Sequence, residues 1–230
     1  MPEQLRIDIN ETQSVSAVVY PASGRGRAGV TLILGHGAGA GQTSAFMVKY
    51  ATELAARGID VVTFNFFYME RGRGGPDPKD KLESCYRSVI ETVRSHKTLR
   101  RNRLAIGGKS MGGRIASQMA AAGVGDLAGL VFLGYPLHPP GNPEKLRSSH
   151  LPDIKAPMLF VQGSRDTFGT PDELRPILKK LKGRAIIYEI AGGDHSFKVP
   201  KSAGVTQEEM HERILDEVDR WLREVASSSS

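Results

Sequence analysis

Gly108-Lys109-Ser110-Met111-Gly112 sets a serine between glycines two residues to either side. It stands directly after the apolar run Leu104 to Ile106 and directly before a segment with Ile115 and Met119 at helical spacing. Such a strand-to-helix turn is a nucleophile elbow, which holds the serine in a strained backbone position and presents its hydroxyl at the carboxyl end of a sheet. N–H groups at the start of the following helix then stand ready to stabilise an oxyanion. A serine hydroxyl is a weak nucleophile until a base takes its proton, so Ser110 needs a histidine from elsewhere in the chain. His195, in Gly192-Gly193-Asp194-His195-Ser196-Phe197, lies in a glycine-rich loop just after the run Ala185 to Ile190. A third group must hold the imidazole, and Asp166 follows the run Met158 to Val161. Ser110, Asp166 and His195 thus all fall at strand ends and converge on one sheet edge. Asp194 is the rival acid, but as the immediate neighbour of the base it points elsewhere; Asp172 belongs to a helix start.

Gly35-His36-Gly37-Ala38-Gly39-Ala40-Gly41 follows the run Val30 to Leu34. The backbone N–H of Ala38 is expected to complete an oxyanion hole beside that of Met111, and losing one such donor costs ~3–4 kcal/mol of transition-state stabilisation. His36 reads as a structural residue of this turn rather than a proton carrier. Its place beside the loop also makes it a candidate substrate contact. The loop Met69 to Pro78 lies near the same edge, and its Arg71 and Arg73 are candidates for an anionic substrate group; a merely solvated loop is the alternative. His96, His138, His150 and His211 read as exposed or locally bonded.

Three other patterns imitate chemistry. Gly35, Gly37 and Ala40 satisfy a relaxed dinucleotide fingerprint, but the next strand closes on Asn65-Phe66-Phe67 and lacks the acid that would hold a ribose. Gly108-Lys109-Ser110 resembles the end of a phosphate loop, yet position 103 is arginine where that loop needs glycine. Cys85 lies on the apolar stripe of its helix and reads as a buried, inert thiol. No spacing of His, Cys or carboxylates suggests a metal, and no cofactor is implied.

The elements that must position these residues are legible as alternation. Val30 to Leu34, Val61 to Phe66, Leu104 to Ile106, Leu130 to Leu133, Met158 to Val161 and Ala185 to Ile190 are short apolar runs, as strands buried on both faces read. Between them, Met47, Tyr50, Ala51 and Leu54, then Leu82, Cys85, Tyr86, Val89, Ile90 and Val93, then Ile115, Met119 and Ala122 each fall on one helical face. Thr170-Pro171 with Glu173 opens another helix as a capping box, which Pro176 should disturb and Gly183 should end. Thr206 with Glu209 opens the last, whose stripe is Met210, Ile214, Val218, Trp221 and Val225. Leu5 to Ile9 and Val15 to Tyr20 form a leading antiparallel hairpin. The fold class expected is therefore α/β: a mostly parallel sheet with helices on both faces and right-handed crossovers.

The 230 residues suit one domain over 1–226, with only about 135–154 free to form a minimal lid and 227–230 as a disordered tail. A net charge of +6 attracts anions, but the basic residues lack interleaved aromatics, so a solvated surface is expected rather than nucleic acid. No apolar run approaches a membrane span. The N-terminal residues lack the pattern of a secretory signal, and the single cysteine fits a reducing compartment, so a cytoplasmic location is expected.

With these motifs placed, the chain resembles the α/β-hydrolase superfamily. More closely it is similar to small dienelactone-hydrolase-like members and to the group holding the testis-expressed hydrolase-like protein and the NSL-complex subunit. The residues carrying that likeness are Gly35 to Ala40, Phe64-Asn65-Phe66 with Pro76-Asp77, Gly107 to Arg114, and Gly193-Asp194-His195-Ser196. Dienelactone hydrolases use a cysteine where this chain has Ser110, so their substrate is not carried over. The closer group includes members that act as protein partners. The reading is a serine hydrolase acting on a small-molecule carboxylic ester or related acyl bond; a peptidase or thioesterase using the same residues, or a non-catalytic interaction module, are the alternatives.

Overall fold

The computed structural model describes residues 1–24, 26–72, 75–181 and 184–228. Strands β1 (Glu3–Asn10) and β2 (Gln13–Tyr20) form the leading hairpin. Then follow β3 (Val30–Gly35), α1 (Ala45–Ala56), β4 (Asp60–Phe64), the one-turn α2 (Phe67–Glu70) and α3 (Lys79–Ser95). The second half holds β5 (Arg103–Lys109), α4 (Met111–Ala121), β6 (Gly129–Leu133), β7 (Met158–Gly163), α5 (Pro171–Leu178), β8 (Ala185–Ile190) and α6 (Gln207–Ser227).

Among the described residues the strands make one eight-stranded sheet in the order β1-β2-β4-β3-β5-β6-β7-β8. β1, β2 and β4 pair antiparallel, and every pairing from β4 through β3 to β8 is parallel. Parallel neighbours require crossovers, and the helices that supply them cover both faces. One face buries Ile33, Phe64, Ile106 and Phe132 against α3, α4 and α5. The other buries Leu32, Leu34, Val131 and Val161 against α1 and α6, whose Trp221 packs over Gly129.

Both capping boxes form: Thr170 accepts from the Glu173 N–H and Thr206 from the Glu209 N–H, and each glutamate reaches back. Several expectations are corrected. β4 stops at Phe64: the Asn65 N–H still donates to Ser16 O of β2, but the Phe66 N–H leaves the sheet for the His36 ring. β8 is only partly buried, because it is the edge strand of the sheet. Ala122 lies beyond α4 and is exposed, while Ala116 takes its place in the core. α5 accommodates Pro176 and passes into a 3-10 turn at Lys179–Leu181; Gly183 lies outside the described residues. α6 extends to Ser227, one residue into the stretch read as a tail, and Ser229 and Ser230 lie outside the described residues.

The sequence of pairings fixes where a site can form. β4 lies on one side of β3 and β5 on the other, so the chain reverses its direction of growth between them. At such a switch point the loops leaving two neighbouring strands diverge and open a crevice at their carboxyl ends. The loops leaving β3 and β5 are those of Ala38 and Ser110.

Candidate active site

Ser110 follows β5 as the N-cap of α4 with φ 49° and ψ −114°, a left-handed conformation that a non-glycine residue holds only under tertiary constraint. Its N–H donates to Leu133 O at 3.1 Å and its carbonyl accepts from Arg114 N–H at 3.1 Å, the first bond of α4. The close fit of α4 against the β3 loop explains the glycines. A Cβ on Gly108 would stand 2.4 Å from Gly35 O, and one on Gly112 2.2 Å from the same oxygen. No side chain fits there, so backbone meets backbone.

The loop after β8 brings His195 over the elbow. Its Nε2 lies 2.9 Å from Ser110 Oγ, and its Nδ1 lies 2.8 Å from Asp166 Oδ2. Asp166 is buried, whereas the imidazole keeps 20% of its side-chain surface exposed, so a substrate can reach its edge. The same Asp166 Oδ2 also accepts from Gln162 Nε2 at 2.8 Å, and Oδ1 from the Phe168 N–H at 2.8 Å. An ionised carboxylate only accepts, so Nδ1 carries the ring proton and Nε2 turns its lone pair to the Ser110 hydroxyl. The Phe168 ring lies against the imidazole with centroids 4.2 Å apart.

Two main-chain N–H groups expected near Ser110 are unpaired among the described residues: that of Met111 is the first of α4, and that of Ala38 lies in the exposed β3 loop. Gly37 runs beside the nucleophile, with Ser110 Cβ 3.7 Å from where its own Cβ would stand. The Tyr68 hydroxyl donates to Ala38 O at 2.8 Å and fixes the loop from α2.

The family model of the alpha/beta hydrolase domain matches residues 28–223. The chain belongs to the α/β-hydrolase family. Solved structures agree on the fold. An α/β serine hydrolase without lid from Xanthomonas campestris superposes with a TM-score of 0.77 at 20% identity, covering 100% of this chain and 97% of that one. A dienelactone hydrolase from Anabaena variabilis gives 0.74 at 17% identity over 96% of each chain. An esterase from Pyrococcus furiosus gives 0.72 at 16% identity, over 96% of this chain and 92% of that one.

The structure thus brings Ser110, His195 and Asp166 into one hydrogen-bonded row, with Met111 next in the chain to Ser110 and Gly37, the neighbour of Ala38, beside it. The other candidates lie elsewhere. His36 is fully buried, and as a substrate contact it is corrected: Nε2 accepts from the Phe66 N–H at 3.0 Å, so Nδ1 carries the proton toward Gly37 O at 2.7 Å. Burial lowers its pKa to about 4, and the neutral ring serves as a brace between β4 and the β3 loop. Arg71, the candidate for an anionic substrate group, is bonded to Asp77 and lies over the Phe67 ring at 4.4 Å. Arg73 lies outside the described residues.

Asp194 caps its own loop by accepting from the N–H groups of Ser196 at 2.8 Å and Lys198 at 2.9 Å. Of the remaining histidines His96 is bonded locally as expected, to Thr98, whereas His138, His150 and His211 tie distant parts of the chain together through Glu173, Ser117 and Tyr50. Cys85 is buried, and desolvation pushes its thiol up to about 12. Among the described residues no cluster of His, Cys, Asp and Glu gathers as a metal would require, and no helix is long and apolar enough to cross a membrane.

Three residues of the site escape sequence reasoning: Gln162, Phe168 and Lys109. Gln162 is a buried amide at the end of a strand, which signals a bonded partner but not which one. Phe168 acts through its N–H, which any residue type but proline would supply. Lys109 occupies the variable place between glycine and serine, where no residue type is demanded.

Proposed function

We propose that this chain is a serine hydrolase that cleaves a carboxylic ester or related acyl bond through an acyl-serine intermediate. The observation that carries the reading is His195 standing within hydrogen-bond reach of both the Ser110 hydroxyl and the buried Asp166 carboxylate. In this reading Ser110 Oγ attacks the acyl carbon while His195 Nε2 takes its proton. The carbonyl oxygen becomes an oxyanion held by the N–H groups of Ala38 and Met111. The imidazolium, stabilised by Asp166, returns the proton to the leaving alcohol and releases it. Water then attacks the acyl-serine with His195 again as base, giving the acid and restoring Ser110.

Two further features support the class of substrate. Residues 134–150 carry no helix or strand, and only a 3-10 turn at Leu151–Asp153 precedes β7, so this stretch builds no helical cap, in keeping with small or flexible acyl substrates. The neighbours described as serine hydrolase and esterase share this fold. A series of p-nitrophenyl esters of increasing chain length is the test. Turnover that vanishes in Ser110→Ala and favours the short members is expected; equal turnover by the two proteins, or none by either alongside no fluorophosphonate labelling, would overturn the reading.

A further inference from the structure

Lys109 is the variable residue of the elbow, and nothing in the chemistry assigned to Ser110, His195 and Asp166 uses it. Its backbone ends β5 opposite Leu133 of β6, which places its side chain at the carboxyl edge of the sheet. From there the side chain passes Gly134. A Cβ at that position would stand 2.8 Å from Lys109 Nζ and 3.2 Å from His195 O. The missing side chain is therefore what lets the amine through. Nζ ends as a donor to the main-chain carbonyl of His195. The rings of Phe46 and Phe197 flank it, with Nζ 5.9 Å and 5.2 Å from their centroids. The carboxylates facing it are Asp166 from the loop after β7 and Asp194 from the loop after β8, and neither forms an ion pair with it among the described residues.

A lysine amine enclosed by two aromatic rings and lacking an ion pair costs stability, because its charge is desolvated without full recompense. Such residues persist where position matters more than stability. We propose that Lys109 is a positioning residue for the base: its amine anchors the His195 main chain and thereby holds the imidazole between Ser110 and Asp166. The inference rests on the hydrolase reading above. It assigns Lys109 no contact with substrate and no proton transfer.

The anchor has a pH signature. Desolvation lowers the Lys109 pKa to about 8, against the partial support of Asp166 and Asp194. The charged donor is therefore lost as pH rises through about 8, and the alkaline limb of kcat falls there. Stability moves the opposite way. Between about 8 and 10.5 the unfolded chain binds the proton that the folded chain has released, so unfolding becomes harder as pH rises.

The test compares native protein, Ser110→Ala and Lys109→Met in steady-state hydrolysis of a p-nitrophenyl ester from pH 6 to 10, with melting temperatures alongside. For Lys109→Met the expected result is a loss of about 10- to 100-fold in kcat, as misplacement of a catalytic group causes, with KM little changed. Its alkaline limb is absent and its melting temperature at pH 7 is equal or higher. A second variant covers a failure of Lys109→Met to fold. K109C in a Cys85→Ser background, alkylated with 2-bromoethylamine, rebuilds an amine of similar length whose pKa is intrinsically lower. It restores kcat and moves the alkaline limb to lower pH.

Native kcat and an unaltered pH profile in Lys109→Met would overturn the role of Lys109 while leaving Ser110 chemistry intact. An alkylated K109C with the native limb position would do the same. Ser110→Ala as active as the native protein would instead overturn the hydrolase reading itself.

Discussion

Asp166 gathers three donors, from His195, Gln162 and Phe168, on its two oxygens. An amide in its place offers Nδ1 either an acceptor or a donor, and the imidazole is then free to put its proton on Nε2, facing Ser110. Asp166→Asn is expected to lower kcat by about 10⁴-fold with KM nearly unchanged, as loss of the correct tautomer does; a loss under tenfold, read by ester hydrolysis, would show that the carboxylate is dispensable. His36 makes a stability prediction. Its pKa in the fold is about 4 against 6.5 unfolded, so the unfolded chain gains a proton first on acidification. Stability is complete above 6.5 and lost as pH falls from 6.5 to 4, by on the order of 3 kcal/mol. Denaturant melts of native protein and His36→Gln across that range check it: the native curve falls more steeply, and parallel curves would contradict the assignment. That Ser110, His195 and Asp166 come together was legible because glycines and strand ends mark them. The burial of His36 was not, because a histidine between glycines reads alike whether its ring turns inward or outward.

At the scale of elements, the tightest junction is where the β3 loop, β5 and α4 meet. Gly112→Ala places a methyl 2.2 Å from Gly35 O, and backbone on both sides cannot yield. The variant is expected to lose about 1–3 kcal/mol of stability, the usual cost of overpacking, together with most activity, since Ala38 and Met111 are displaced relative to each other. Unchanged melting and turnover would mean that the junction is looser than described. By contrast, Thr206→Ala removes only the cap of α6. A loss of ~1 kcal/mol with native kcat is expected, measured by thermal melting and ester hydrolysis. The hairpin, the capping boxes and the apolar stripes of α1 and α3 were legible, because each depends on residues near in sequence. The early end of β4 and the one-turn α2 were not: both follow from the His36 ring capturing the Phe66 N–H across 30 residues. Nor could the runs alone tell that β8 is an edge strand, since strand order is set by the whole sheet.

At the scale of the molecule, three loops from β3, β5 and β7 and one from β8 meet at a single sheet edge because β3 and β5 straddle the switch in strand order. That placement requires a fold and not a linear motif. It explains why residues 110, 166 and 195 meet across such separations, and why of the two helices behind the sheet only α1 reaches the site, through Phe46 beside Lys109. Among known folds the resemblance holds over nearly the whole chain at only 16–20% identity in the esterase and serine hydrolase neighbours, so the architecture is shared while most side chains are not. The central claim, that His195 activates the Ser110 hydroxyl as a nucleophile, is tested most directly by peptide-mapping mass spectrometry after reaction with a fluorophosphonate. One phosphonyl adduct per chain is expected, on the peptide bearing Ser110, with the rate of its formation collapsing in His195→Ala. An adduct that forms as fast without His195, or that maps to another residue, would contradict it.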